Sequence, residues 1–284
     1  MWYNDTVRPF PFCDKEASMS AMSLGKPIDG TPNLYAWGEG QILKLYDSSA
    51  PADWVESLGR IERALYEAGL PVPKVGELVE MDGGLGQVYE RIDGGSMAEA
   101  LLGIAGAEPG TITELARTFA EVQATIHAHA GVPELPSQRF LAAVIRRIDV
   151  LPSDLKEATL KAFDKLPEGD RLCHGDFHPF NVLLSSRGPV VIDWNNAHVG
   201  DPMEDVARSE VILSGVSVAQ PSYRPIIDPF RQAYLEHYCQ LVSVDRQQLV
   251  PWQPIVAAVR LSDNVPEQEW LLERIRTGLV PREG

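Results

Sequence analysis

The chain has little of what would tie it to a membrane, a nucleic acid or an oxidising compartment. Its three cysteines, Cys13, Cys173 and Cys239, are scattered and odd in number, with no C-x-x-C pair. That excludes a disulfide framework or a thiolate zinc site and fits a reducing cytoplasm. No segment reaches the ~20 consecutive apolar residues that span a bilayer. The stretch from Trp2 to Lys15 is polar and contains proline, without the basic region and apolar core of a secretory signal. Cationic side chains are also short: 25 Lys and Arg face 40 Asp and Glu, a formal net charge of −15. No basic surplus is left to neutralise a phosphate backbone. The expectation is a soluble cytoplasmic globule with no nucleic-acid and no membrane partner, to which a cationic small molecule is better suited.

What remains is 284 residues, 44% of them hydrophobic, with no internal repeat and no low-complexity tract. Single cores stop growing near ~250 residues, so two lobes sharing a cleft are expected. Residues 1–21, ahead of Met22, read as a loosely packed or disordered extension. Leu34 to Tyr46 holds two β-rich runs around Gly38-Glu39-Gly40 and predicts a hairpin carrying Lys44 on its second strand. Val55, Leu58, Ile61 and Leu65 recur at helical spacing over Asp53 to Ala68, and Gly69, Pro71 and Pro73 end that helix. Strands are predicted at Lys74 to Glu80 and Gly86 to Ile92, turning through Asp82-Gly83-Gly84. Asp93-Gly94-Gly95-Ser96 is the first good linker. Beyond it the spacing turns helical over 97–102, 111–129, 139–150, 153–166, 202–215, 222–241, 249–261 and 267–278. Two short strands, Asn181 to Leu184 and Val190 to Asp193, interrupt the helices. The division is 22–92 for an N-terminal lobe and 93–284 for a C-terminal lobe.

The interruption carries the chemistry. Leu172-Cys173-His174-Gly175-Asp176-Phe177-His178-Pro179-Phe180-Asn181 precedes Val190-Val191-Ile192-Asp193-Trp194. Asp176 leads Asn181 by five residues and Asp193 closes an apolar run. In a kinase, an Asp at that spacing receives the acceptor hydroxyl's proton, while the Asn and a later strand-end Asp hold the magnesium ions that bridge the phosphates. Gly175 permits an unusual backbone and Pro179 removes a donor, as in a loop fixed by its surroundings.

H-G-D-F-H-P-F-N followed by V-I-D-W resembles the aminoglycoside phosphotransferase and choline kinase group of protein-kinase-like enzymes. Gly69 to Lys74, Tyr89 to Gly94 and Gly200 to Asp205 are similar to the same group, so the resemblance covers roughly residues 24 to 275. It implies an α+β, protein-kinase-like two-lobe fold: a small antiparallel β-sheet lobe with one helix, and a larger, mainly helical lobe. It further implies ATP or GTP with Mg2+ as cofactors and transfer of the γ-phosphoryl group to a hydroxyl of a small, aminoglycoside-, macrolide- or choline-like acceptor. Asp176 becomes the base or orienter, Asn181 and Asp193 the metal ligands, and Lys44 the contact to the α- and β-phosphates. The main chain of Glu90, Arg91 and Ile92 would face adenine. His174 and His178 would brace the loop, His127 would pack, and Asp201 and Asp205 would brace or cap.

Two departures stand out. The segment expected to cover the phosphates reads Gly25-Lys26-Pro27-Ile28-Asp29-Gly30-Thr31-Pro32, with scattered glycines and a carboxylate where backbone N–H groups and a cation are wanted. The helix glutamate that pairs with the lysine is expected near Leu58; Glu62, one turn later on the same face, is its replacement, and Glu56 is a poorer one. These departures leave a non-catalytic nucleotide-binding pseudokinase as the alternative. A metallohydrolase built on His174-x-Asp176-x-His178 would need further ligands, and only His127, His129, His198 and His237 remain.

Overall fold

The computed structural model describes residues 27–28, 33–81, 84–103, 109–132 and 134–279. The first lobe is a four-stranded antiparallel sheet with one helix against it. Strands β1 (Leu34–Trp37), β2 (Gln41–Leu45), β3 (Val75–Met81) and β4 (Gly84–Glu90) lie in the order β1-β2-β4-β3. The β1–β2 hairpin turns through Gly38 and Gly40, both with positive φ, as the glycine spacing requires. Helix α1 (Ala52–Glu67) buries Val55, Leu58, Ile61, Glu62 and Leu65 on one stripe. The expected extension, the phosphate-covering segment apart from Pro27 and Ile28, and the turn residues Asp82 and Gly83 lie outside the described residues.

The larger lobe is helical: α2 (Met97–Gly103), α3 (Pro109–His127), α4 (Phe140–Arg147), α5 (Ser153–Phe163), α6 (Pro202–Ala219), α7 (Arg224–Val242), α8 (Gln253–Arg260) and α9 (Gln268–Leu279). Helix α6 is buried on nearly every side, including Glu204, Asp205, Arg208, Ser209 and Glu210, and so forms the spine of this lobe. Phe119 of α3 stacks on Phe177 at 4.3 Å and meets Tyr234 of α7 edge-on at 4.9 Å, which anchors the catalytic stretch to the core. No helix among the described residues is long and apolar enough to cross a membrane.

Several boundaries differ from the sequence expectation. The expected helix over 249–261 begins only at Gln253, because Arg246–Leu249 form a 3₁₀ turn first. The pair β5 (Arg171–Cys173) and β8 (His198–Gly200) was not expected: three-residue strands carry no alternation to read. The expected strands at 181–184 and 190–193 are β6 (Val182–Ser185) and β7 (Gly188–Val191), so Asn181 sits in a 3₁₀ turn and Asp193 two residues beyond its strand.

The linker between the lobes pairs with this hairpin. The Leu184 N–H donates to the Gly95 carbonyl at 2.9 Å and Ser96 bridges Leu183, adding an edge to β6. Gly94, at φ 141°, lies so close that a Cβ there would stand 2.1 Å from the Leu184 carbonyl oxygen. Only glycine fits this crossing.

Candidate active site

The stretch His174 to Phe177 is held by one face of α6. Asp201 caps the helix by accepting from the Met203 N–H at 2.8 Å, with Pro202 at its first position. One turn in, Asp205, fully buried, accepts from the N–H groups of His174 (3.2 Å) and Gly175 (2.7 Å). Arg208 reaches the Asp176 carboxylate at 3.2 Å, and Ser209 donates to the Phe177 carbonyl at 2.7 Å. Positions 205, 208 and 209 share a helix face, so α6 touches four consecutive loop residues. Gly175 takes φ 75° against Asn196, whose carbonyl oxygen would stand 2.2 Å from an added Cβ.

Asp205 is itself surrounded by donors. His127 Nε2 lies 3.0 Å away and Gln123 Nε2 3.1 Å, while His127 Nδ1 meets the Tyr238 hydroxyl at 2.6 Å. Burial opposes the Asp205 charge, but the hydrogen bond and charge of His127 outweigh it and hold the carboxyl well below the ordinary carboxylate range. Asp201 and Asp205 therefore have the capping and bracing places expected of them, and His127 is a satisfied core histidine.

His174 is held from both ring nitrogens. Its Nε2 lies 3.0 Å from the Ile192 carbonyl, which can only accept, and Nδ1 accepts from the Asp176 N–H at 3.2 Å. Burial pushes its pKa down, in keeping with the neutral ring. No lone pair is left for a metal, so the cluster required by a hydrolase does not form at His174. Beneath the loop, His198 pairs with Glu204 at 2.9 Å beside Cys173. Burial and acidic neighbours push the Cys173 thiol well up.

Asp176 lies in the cleft with its Oδ1 on Arg208 and its Oδ2 3.3 Å from His178 Nε2. Burial opposes the carboxylate's charge; His178, Arg208 and Arg260 outweigh it and hold the group far below its ordinary pKa. Asn181 donates through Nδ2 to the Asp176 carbonyl at 3.0 Å, leaving Oδ1 for a cation. The Ile192 N–H donates to the Asn181 carbonyl at 3.0 Å, extending the Val182–Val191 register and bringing Asp193 next to Asn181. Asp193 adopts a left-handed backbone, φ 67° and ψ 62°, a costly conformation for a residue with a side chain.

Lys44 crosses from β2 to Asp193, Nζ to Oδ1 at 3.0 Å. Burial disfavours the ammonium, yet Asp193, with Tyr46 and Glu62, overrides it and raises the Lys44 pKa. Lys44 is thus paired, but not with the helix glutamate. Glu62 is buried and accepts from the Tyr89 hydroxyl at 2.5 Å, with Tyr46 3.3 Å beyond. Burial pushes its carboxyl up to about 7, against smaller opposing effects from Tyr89 and Lys44. The oxygens of Asn181 and Asp193 are hard donors suited to magnesium, and Asp193 already attracts a cation in Lys44.

β4 ends at Glu90, two residues short of the expected strand end, and Arg91 and Ile92 follow it at the lobe junction. The Glu90 N–H donates to the Lys74 carbonyl and the Arg91 N–H to the Gly40 carbonyl, both at 2.9 Å, so neither of these N–H groups is free for a base. The Glu90 side chain forms a bidentate pair with Arg187 at 2.7 and 2.8 Å, linking the first lobe to the β6–β7 turn. Arg208, Asp263 and Glu210 escaped the sequence reading. Glu210 gathers Arg231, Arg274 and Ser214 from three helices, and no short motif spells such a hub.

Known proteins share this fold. Over 140 residues, 42% of this chain and 47% of the relative, the sequence is 30% identical to a viomycin phosphotransferase of Streptomyces vinaceus; the match spans about half of that protein. Among solved structures, an amicoumacin kinase in complex with AMP-PNP and Ca2+ superposes with a TM-score of 0.60 at 16% identity, over 87% of this chain and 84% of that one. A type VIII aminoglycoside-3'-phosphotransferase gives 0.55 at 20% identity over 84% and 92%. A choline/ethanolamine kinase family protein from Mesorhizobium loti gives 0.56 at 15% over 92% and 90%. These likenesses establish the protein-kinase-like fold. Residues 31–252 match the phosphotransferase enzyme family, and the chain belongs to it.

Proposed function

We propose that this protein is a small-molecule kinase that uses ATP or GTP with Mg2+ to phosphorylate a hydroxyl group. The observation that carries this reading is the meeting of Lys44, Asp193, Asn181 and Asp176 across the cleft, through the Lys44–Asp193 contact at 3.0 Å and the Asn181–Asp176 contact at 3.0 Å. Lys44 would exchange Asp193 for the α- and β-phosphates, and Ile92 would offer its main chain to the base. Asn181 and Asp193 would hold the magnesium, whose charge neutralises the oxygens of the transferring group. The proposed division into lobes falls at Asp93, where the linker begins.

Asp176 stays ionised because of its cationic neighbours. A carboxylate so weakly basic orients the acceptor hydroxyl by accepting its hydrogen bond and takes the proton late, which suits a loose transition state. Around it Arg208 and Arg260 balance Asp263 and Glu267, so the chain's overall negative charge is not concentrated at this point. The acceptor is therefore read as a neutral or cationic polyhydroxyl or peptide antibiotic, or an amino alcohol, met in the cytoplasm. The Lys44–Asp193 pair also suits a silent nucleotide binder.

A screen of ADP release over viomycin, aminoglycosides, macrolides, amino alcohols and sugars separates the two readings. Phosphotransfer predicts magnesium-dependent ADP release with at least one acceptor. Asp176→Asn is expected to lower kcat by ~10³-fold or more while nucleotide affinity holds. A variant that keeps most of its rate overturns the assignment of Asp176.

A further inference from the structure

Arg208 is a buried guanidinium that stability alone does not explain. Its side chain is 5% exposed, and a single nitrogen, Nη2, serves both Asp176 Oδ1 at 3.2 Å and Asp263 Oδ2 at 3.1 Å. Nε and Nη1 are buried with no hydrogen-bond partner among the described residues. An apolar side chain of similar length would fill the space without leaving N–H groups unpaired. Asp263 in turn is clamped: Arg260 Nη1 lies 3.0 Å from the same Oδ2, and the segment Leu261–Asp263 is a 3₁₀ turn closed by left-handed Asn264. The chain of contacts thus runs from the end of α8 through Asp263 and Arg208 to one oxygen of Asp176.

We infer that Arg208, held by Asp263, is a positioning residue for phosphoryl transfer: it fixes the Asp176 carboxylate so that the acceptor hydroxyl is presented in line with the phosphate. The inference rests on the phosphotransferase reading above. Backbone bracing by Asp205 and Ser209 sets where the loop runs, and Arg208 is the only one of the three α6 contacts that touches the Asp176 side chain. Carboxylate orientation therefore depends on Arg208 at Oδ1, together with His178 at Oδ2, while loop position depends on neither. A shift of ~1 Å at such a group costs about a hundredfold in rate.

The test is a double-mutant cycle on ADP release from magnesium ATP, with viomycin and an aminoglycoside panel as acceptors and thermal unfolding as the control. Arg208→Met is expected to lower kcat by ~30- to 100-fold, with the nucleotide KM within twofold; the unfolding midpoint falls as well, because Asp176 and Asp263 lose their shared cation. Arg208→Lys restores the cation and part of kcat. Asp263→Asn lowers kcat by ~5- to 10-fold, and Arg208→Met with Asp263→Asn is no slower than Arg208→Met alone, since Asp263 acts through Arg208. An unchanged kcat in Arg208→Met, an Arg208→Lys variant that recovers stability but no kcat, or losses that multiply in the double variant, overturns the inference. If Arg208→Met does not fold, Arg208→Lys and Asp263→Asn decide it by the same split of kcat from KM. A wild-type protein that releases ADP with no acceptor removes the phosphotransferase reading and this inference together; an active one indifferent to Arg208 removes only the inference.

Discussion

The two sides of the cleft are built to different standards of rigidity. On the larger lobe, the loop carrying Asp176 is gripped from beneath by Asp205, Arg208 and Ser209, all buried on one helix. On the smaller lobe, Lys44 has one ionic partner, Asp193, which itself belongs to the other lobe, and Glu62 is turned toward Tyr89. On the proposed function, the acceptor side is fixed before any ligand arrives, whereas the phosphate side awaits one. A buried network of hydrogen bonds can be rigid, and a contact between half-buried partners can be exchanged.

The largest test of this contrast is on the rigid side. Asp205→Asn leaves one of the His174 and Gly175 N–H groups short of an acceptor and is expected to cost about 2–4 kcal/mol of stability in urea unfolding. Because the Asp205 pKa is held below its ordinary value, its contribution is present above the ordinary Asp range and is lost as pH falls through that range and below. A variant as stable as the parent at neutral pH would mean that the loop does not lean on α6.

Glu62 sharpens the other side. A carboxyl pushed from 4.5 up to about 7 keeps a proton in the folded protein that the unfolded chain has released, so its stabilising effect is present below 4.5 and is lost as pH rises toward 7. Glu62→Gln should flatten this slope and raise stability at pH 8 by about 2–3 kcal/mol, read from thermal unfolding against pH. Loss of stability instead would show Glu62 ionised and serving Lys44. The smallest effect belongs to Glu90 and Arg187, whose side chains are 31% and 49% exposed. Glu90→Gln is expected to cost less than about 1 kcal/mol, and the loss should vanish in high salt.

Much of this was legible in the sequence where the determinants are local. The Asp176 loop was visible because Gly175 and Pro179 restrict the backbone within the same ten residues that carry the polar groups. Glu62 could be placed on the buried face of α1 from the spacing of Leu58, Ile61 and Leu65, but its partner could not: Tyr89 comes from a strand 27 residues away. The Arg208–Asp263 contact joins residues 55 apart across α6 and the end of α8, and only the packed fold brings them together. The β5–β8 pair was too short to show a period, and the Glu90 and Arg91 N–H groups are taken by the carbonyls of Lys74 and Gly40, residues distant in sequence.

The crossing at Gly94 gives the linker a second duty. Since Gly95 and Ser96 are bonded to β6, the segment leaving the nucleotide-side sheet is continuous with the hairpin whose ends hold Asn181 and Asp193. Any rocking of the small sheet therefore reaches Asn181 and Asp193 through main chain as well as through the Lys44–Asp193 and Glu90–Arg187 side-chain pairs, as a lever works through its fulcrum.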